Sequence, residues 1–416
     1  MTAPAPAPAL AYIPDILEEH LEELGFLWGQ RRTALRSPRY TARACAHLEE
    51  RIAAHLQGVL AVGGAALPLL ENTLRDGESL AAFAAAYALL HHADPTASDR
   101  ALETFAQAEG ARLAGLRDAL CQGPVGSLLP RIQALAHSAR GPLAVAAAES
   151  LAFHTDVGLT DRLVRQFLSD EDAGVRAQAW RLLGYLGMRL DPKTYAAALR
   201  DDPVVKRAAL HAGAWCGEPG VLAVGRKFAE TPAPDQADAL ELLAILGGPE
   251  DLPAFAVIGR QATLGPSRFR LLGCFGHPGL MELVMAGICD PDPATAVAAG
   301  AAFTKMTGAE IESGTVATLP SNGAPAPDEF EMEFLDEVKL PSPTLAQRHW
   351  DKVKGHLAQA SRICRGVDVG GRLDPEGFAL LDMESRWEAC LRARFYGVWS
   401  GSPVRLERFP LTPVKP

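Results

Sequence analysis

The sequence predicts an all-α chain, an α-solenoid of stacked helix pairs with a helical region capping each end. Composition is the first sign: 48% of the 416 residues are hydrophobic but only 6% aromatic. The core must therefore come mostly from Ala and Leu, which suits closely packed helices better than an aromatic-rich sheet. The second sign is a repeated phrase. "RLLGYLG" at 181–187 returns as "RLLGCFG" at 270–276, and two worn copies between them end at Gly217 and Gly247. Gly187, Gly217, Gly247 and Gly276 thus close units of 29–30 residues, with Ala179, Ala209 and Ala239 in step. A fixed period of this size indicates a repeat architecture in which each unit buries its apolar face against its neighbours.

The third sign is punctuation within the units. Asp172 and Asp202 precede helices that begin Val-basic, where an Asp side chain accepts from an otherwise unpaired backbone N–H. Pro203 and Pro293 follow Asp202 and Asp292 at the first helical position, where a missing N–H costs nothing. Val175, Ala179, Leu182, Leu183 and Leu186 fall on one apolar stripe, and Gly187 and Gly217 sit where a left-handed residue ends a helix.

Taken in order, residues 1–14 read as a disordered Ala/Pro tail, with neither the basic nor the apolar region of a secretory signal. Residues 15–60 read as an N-terminal cap of two amphipathic helices broken at Ser37-Pro38. The repeat array is expected over 61–308, clearest at 160–276. Residues 309–343 are rich in Gly and Pro and carry a run of acids from Asp328 to Glu337, which predicts a solvated linker. The embedded Phe330 and Phe334 leave a second reading, an acidic segment that docks on a basic partner. Residues 344–416 read as helical again. Here Arg386, Trp387, Arg394 and Trp399 combine the residue types enriched at interface hot spots; the alternative is that these aromatics pack the C-terminal region onto the last repeats.

The stretch "DEDAGVRAQAWRLLGYLG" (170–187) resembles the HEAT repeat of the phycobilisome-lyase type. The N-terminal segment 20–74 resembles the start of an uncharacterised bacterial HEAT-repeat family encoded in type VI secretion gene clusters. The matching traits are His20, Phe26-Leu27-Trp28, Arg31-Arg32, Leu48, His55-Leu56 and Gly58. That resemblance implies an accessory role in secretion, handling an effector or spike component. In the repeat family the position of Arg176 and Lys206 commonly forms a structural ladder with acids such as Asp172 and Asp202; direct partner contact is the other reading.

Chemistry-bearing patterns are sparse. The seven cysteines are odd in number and show no C-x-x-C spacing, so neither a disulfide framework nor a zinc site is expected, but free thiols in a reducing cytoplasm. His47 and His55 share a helix face without an H-E-x-x-H motif, His91-His92 closes a helix, and neither a phosphate loop nor a G-x-S-x-G elbow occurs. A formal charge of −10 argues against a nucleic-acid footprint. No stretch is long and apolar enough to span a bilayer. The sequence therefore predicts a non-enzymatic, cytoplasmic scaffold or adaptor that needs no cofactor and binds protein rather than nucleic acid or membrane. A lyase-like or chromophore-handling protein is the alternative, and a HEAT-like DNA glycosylase a more distant one.

Overall fold

The computed structural model describes residues 13–154, 159, 161–319, 337–371 and 374–409. The protein is all-α, with 22 α-helices and two short β-ribbons among the described residues. The chain divides into two compact units. One runs to Cys216 and takes up the chain again from Gly401; the other is Gly217–Ser400.

The first unit contains α1 (Pro14–Ala34), α2 (Ala42–Ala61), α3 (Leu67–Asp76), α4 (Ser79–His91), α5 (Pro95–Phe105), α6 (Gly110–Gln122), α7 (Leu129–Ser138) and α8 (Gly141–His154). It continues with α9 (Asp161–Phe167), α10 (Ala173–Leu186) and α12 (Pro203–Cys216), joined through α11 (Pro192–Ala198). Helices α4, α6, α8, α10 and α12 stack one on the next, and the odd-numbered helices pair with them, while α1 packs on α2 and α4.

Side-chain patterns explain which row lies inside. In α4, "SLAAFAAAYALLH" buries eight of its side chains, from Ala82 to Leu90, and α8 is as completely covered. A helix apolar all round must be enclosed. By contrast α3 buries Leu70 and Leu74, and α7 buries Ile132 and Ala136, single stripes that suit an outer position. The many alanines of the inner row let backbones approach closely; Ala179 and Ala209 have no exposed surface.

The second unit holds α13 (Gly220–Ala229), α14 (Ala237–Leu246), α15 (Leu252–Arg260), α16 (Ser267–Phe275), α17 (Met281–Ile288) and α18 (Pro293–Thr307). Helices α14, α16 and α18 form its stacked row around Phe255, Phe275 and Phe303, all fully buried. There follow β1 (Glu312–Thr318), β2 (Glu337–Pro341), α19 (Pro343–Leu357), β3 (Ile363–Cys364), β4 (Val367–Asp368), α20 (Pro375–Leu380) and α21 (Met383–Phe395). The last helix, α22 (Pro403–Glu407), belongs to the first unit.

The capping expected from sequence is present. Asp172 accepts from the Gly174 and Val175 N–H groups, Asp292 accepts from Thr295, and Gly187 adopts the left-handed conformation. Gly247 departs from the series, with φ −56°.

Two boundaries differ from the sequence reading. Residues 309–343 are not simply a linker: β1 and β2 pair antiparallel, with Val316 opposite Lys339 and Thr318 opposite Glu337. Lys339 and Glu312 bond across the ribbon at 2.8 Å. Strands of seven and five residues, separated by an acidic run, leave little periodic signal. The region 344–416 is likewise not one module, since residues 401–409 belong to the first unit and the described residues before them to the second. No single described helix is long and apolar enough to cross a membrane. The bent pair Ala42–Ala61 and Gly63–Asp76, at 102°, passes that test by length and composition.

Candidate functional site

A helix leaves its last carbonyls without intrahelical donors and carries partial negative charge there. In the second unit the C-terminal part of the chain supplies the missing donors. The Arg362 guanidinium, 7% exposed, donates to the Ala244 and Cys274 carbonyls at 2.8 Å each and to Gly247 at 3.0 Å. Arg392 donates to the Gly247 carbonyl at 2.9 Å, and the Tyr396 hydroxyl to Leu246 at 2.6 Å. Backbone N–H groups of the β3–β4 hairpin continue the pattern: Ile363 donates to Gly276, Arg365 to Lys305 and Gly366 to Met306. One strap thus satisfies the carboxyl ends of α14, α16 and α18.

Gly276 is required here twice over. Its φ is +64°, and a Cβ at that position would lie 2.4 Å from the Ile363 carbonyl oxygen.

Helix α21 is held by charge. Glu384 and Glu388, one turn apart, both accept from Lys305 at 2.6 Å, and Glu384 also accepts from Arg270. The Cys274 thiol donates to Glu388, and burial pushes this thiol well above the usual range. Burial followed by the nearby Arg392 draws the Arg362 pKa down. A cation in this position is tolerable because three carbonyls surround it.

The first unit is crossed by a shorter segment, residues 401–409. Ser402 donates to the Tyr185 carbonyl, and the Tyr185 hydroxyl donates to Glu407 at 2.7 Å. Arg31 donates to the Glu407 carbonyl at 2.9 Å, and Val404 packs with Cys121, Phe153 and Tyr185. His154 bonds through Nε2 to the Leu120 carbonyl at 2.6 Å, so that nitrogen carries the proton. Its Nδ1 is then the acceptor for Arg408 at 3.1 Å. Burial lowers the His154 pKa, as a neutral imidazole in this place requires.

Beside this segment lies a cavity of about 240 Å³, its walls formed by Trp28, Arg31, Glu49, Ile52, Phe83, Tyr87, Gln122, Arg408 and Phe409. Trp28 stacks on Phe83 with ring centroids 4.1 Å apart, and Phe83 on Tyr87 at 5.2 Å. The Arg31 guanidinium covers the Trp28 ring and pairs with Glu49.

The residues singled out from the sequence do not converge on one place. Arg176 grips Asp201 with two hydrogen bonds of 3.0 and 2.8 Å and donates to the Asp170 and Glu171 carbonyls. The ladder exists, but its acid is Asp201, because Asp172 and Asp202 are engaged in helix capping. Arg226 and Asp251 form a comparable rung in the second unit, again 25 residues apart. Lys206 lies half-buried in the first turn of α12.

Arg386 and Trp387, candidates for partner contact, are instead buried. Arg386 donates to the Leu381 and Ala379 carbonyls and lies over the Phe378 ring. Arg394 and Trp399 are half-buried near the end of α21, and Phe330 and Phe334 lie outside the described residues. His55 meets His20 rather than His47, with Nδ1 atoms 3.1 Å apart. Gly58 makes room for that pair, since a Cβ there would lie 2.6 Å from the His20 ring. Among the described residues, no three His, Cys, Asp or Glu side chains group as a metal site would need.

Sequence reasoning missed Arg362 and Glu407. The available signal was an arginine-rich C-terminal region following helices with uncapped carbonyls.

No family model matches the chain, and no curated protein matches it. Among solved structures it is similar to the crystal structure of an engineered protein from the Northeast Structural Genomics Consortium. That similarity is 14% identity over 68% of this chain and 88% of the other, with a TM-score of 0.29. So distant a likeness assigns neither fold nor activity.

Proposed function

We propose that the protein is a non-enzymatic scaffold or adaptor whose helical rows bind polypeptide segments. One observation supports the reading above others: in each unit a stretch of the chain itself is laid against the helical row. It is held by donors to backbone carbonyls and by a few anchored side chains. Recognition through backbone carbonyls is available to other extended segments, with side-chain pockets adding selectivity. Stacked helix pairs also give a long surface whose stability adds from neighbour to neighbour.

The HEAT-like signature and the N-terminal resemblance direct this proposal towards a type VI secretion accessory protein that handles an effector or spike component. Affinity purification from a host carrying the intact secretion cluster, after brief crosslinking, tests it. A secretion component enriched over an unrelated bait is the expected result. Its consistent absence under secreting conditions would count against the secretion assignment.

A further inference from the structure

We propose that His20 and His55 form a proton-operated clasp between the start of α1 and the end of α2. It is closed while the pair carries at most one extra proton and released when both rings are charged. The clasp stands on geometry. The two Nδ1 atoms lie 3.1 Å apart, and the rings meet edge to face with centroids 5.1 Å apart at 72°. Both residues are half-buried. The α2 backbone closes one side of the contact, since a Cβ at Gly58 would lie 2.6 Å from the His20 ring.

A bond between two Nδ1 atoms fixes the proton count. One nitrogen must carry a proton and the other must present a lone pair. A first added proton can enter at Nε2 of the donor ring, which becomes an imidazolium and still donates to its partner. A second can enter only at the accepting Nδ1. It replaces the bond with two opposed N–H groups and puts two positive charges into one contact.

The charged groups around His55 come from both helices. Glu19 and Glu23 on α1 favour its protonated form, whereas His20 on α1 and Arg51 on α2 oppose it. Arg51 also lies 3.8 Å from Glu23, which offsets part of that carboxylate's charge. Helix α4 meets α1 further along, at Gly25, through Leu80 and Ala81, which carry no charge. Burial first, then His20, draws the His55 pKa below its usual 6.5. The unfolded chain therefore takes up this proton more readily than the folded one. The contribution of the clasp is complete above pH 6.5 and is lost as the pH falls through the lower folded value. Release loosens the first turns of α1, whose remaining anchors there are the buried Leu17 and Leu21.

The test uses the full chain. Histidine ring resonances are followed by pH titration in ¹H–¹⁵N spectra, with His20→Gln and His55→Gln supplying the assignments. Amide exchange of α1 is compared at about pH 7.5 and about pH 5, after correction for intrinsic rates. The expected results are a His55 midpoint below 6.5 and a several-fold acceleration of exchange over residues 17–24 at the lower pH. His20→Gln should move the His55 midpoint up towards 6.5. Either substitution should also remove the acid-induced acceleration in α1, so failure of one variant to fold leaves the other as the test. A His55 midpoint at or above 6.5 would overturn the proposal. So would α1 exchange that does not respond to pH, or an acceleration that persists in a folded Gln variant.

Discussion

The two units hold the C-terminal part of the chain in opposite ways. In the second unit Arg362, Lys305 and Asp382 are buried, and the strap reaches the carboxyl ends of three helices. In the first unit the crossing segment is anchored by apolar side chains, Val404, Leu406 and Phe409, all buried, with Glu407 half-buried and Arg408 exposed. A buried cation whose partners are carbonyls leaves an uncompensated group on either side when removed. An exposed ion pair is screened by water and contributes little. The strap is thus tied into the second unit by buried polar groups, whereas residues 401–409 are held mainly by apolar side chains and a few hydrogen bonds over nine residues.

The largest expected effect lies at Arg362. Arg362→Met takes the guanidinium donor from the Ala244 and Cys274 carbonyls and leaves Gly247 with Arg392 alone, and should cost about 3–5 kcal/mol by denaturant unfolding. A loss under ~1 kcal/mol would show that the strap is not integral to the core. Next comes Gly276→Ala, which combines a left-handed backbone with a close carbonyl and should cost at least about 2 kcal/mol. Ala209→Leu probes the inner row away from either crossing segment. It should overpack the contact between α10 and α12 by roughly 1–3 kcal/mol; unchanged stability would misplace that residue.

The smallest effect is a pH dependence of the first unit's segment. Because the folded-state pKa of His154 lies below 6.5, the unfolded chain binds the proton more readily. The contribution of His154 is therefore complete above pH 6.5 and is lost as the pH falls through its lower folded value. Protonated Nδ1 would also present a donor to Arg408 where an acceptor is needed. Proteolysis near residue 408 should accelerate below pH 6 in the wild type, and His154→Gln should flatten that dependence.

The parts of this architecture that were legible in the sequence are local. Caps at Asp172 and Asp292, prolines at first helical positions and the turn at Gly187 act within a few residues, so the chain spells them directly. The alanines in step at Ala179, Ala209 and Ala239 were legible too, and they are buried in the stacked rows. What sequence could not reveal depends on contacts across great separations: Arg362 meets carbonyls 88 to 118 residues away, and Tyr185 meets Glu407 across 222. Arg386 and Trp387 had the right composition for an interface, but Trp387 is buried and Arg386 bonds to carbonyls of the same chain. Trp28, Arg31, His20 and Gly58 entered the reading through family resemblance alone, and His55 through that and its spacing from His47. The structure gives them physical reasons, two in a cavity wall and three in a histidine pair and the space that admits it.

Hydrogen exchange tests the central contrast most directly. After correction for intrinsic rates, amides of Ile363, Arg365 and Gly366 should exchange as slowly as those of α16 and α18, because they open only with the second unit. Amides of residues 401–409 should exchange through a lower-energy local opening, without unfolding of α6, α8 or α10. Equal protection of the two segments, each matching its helical row, would contradict the account.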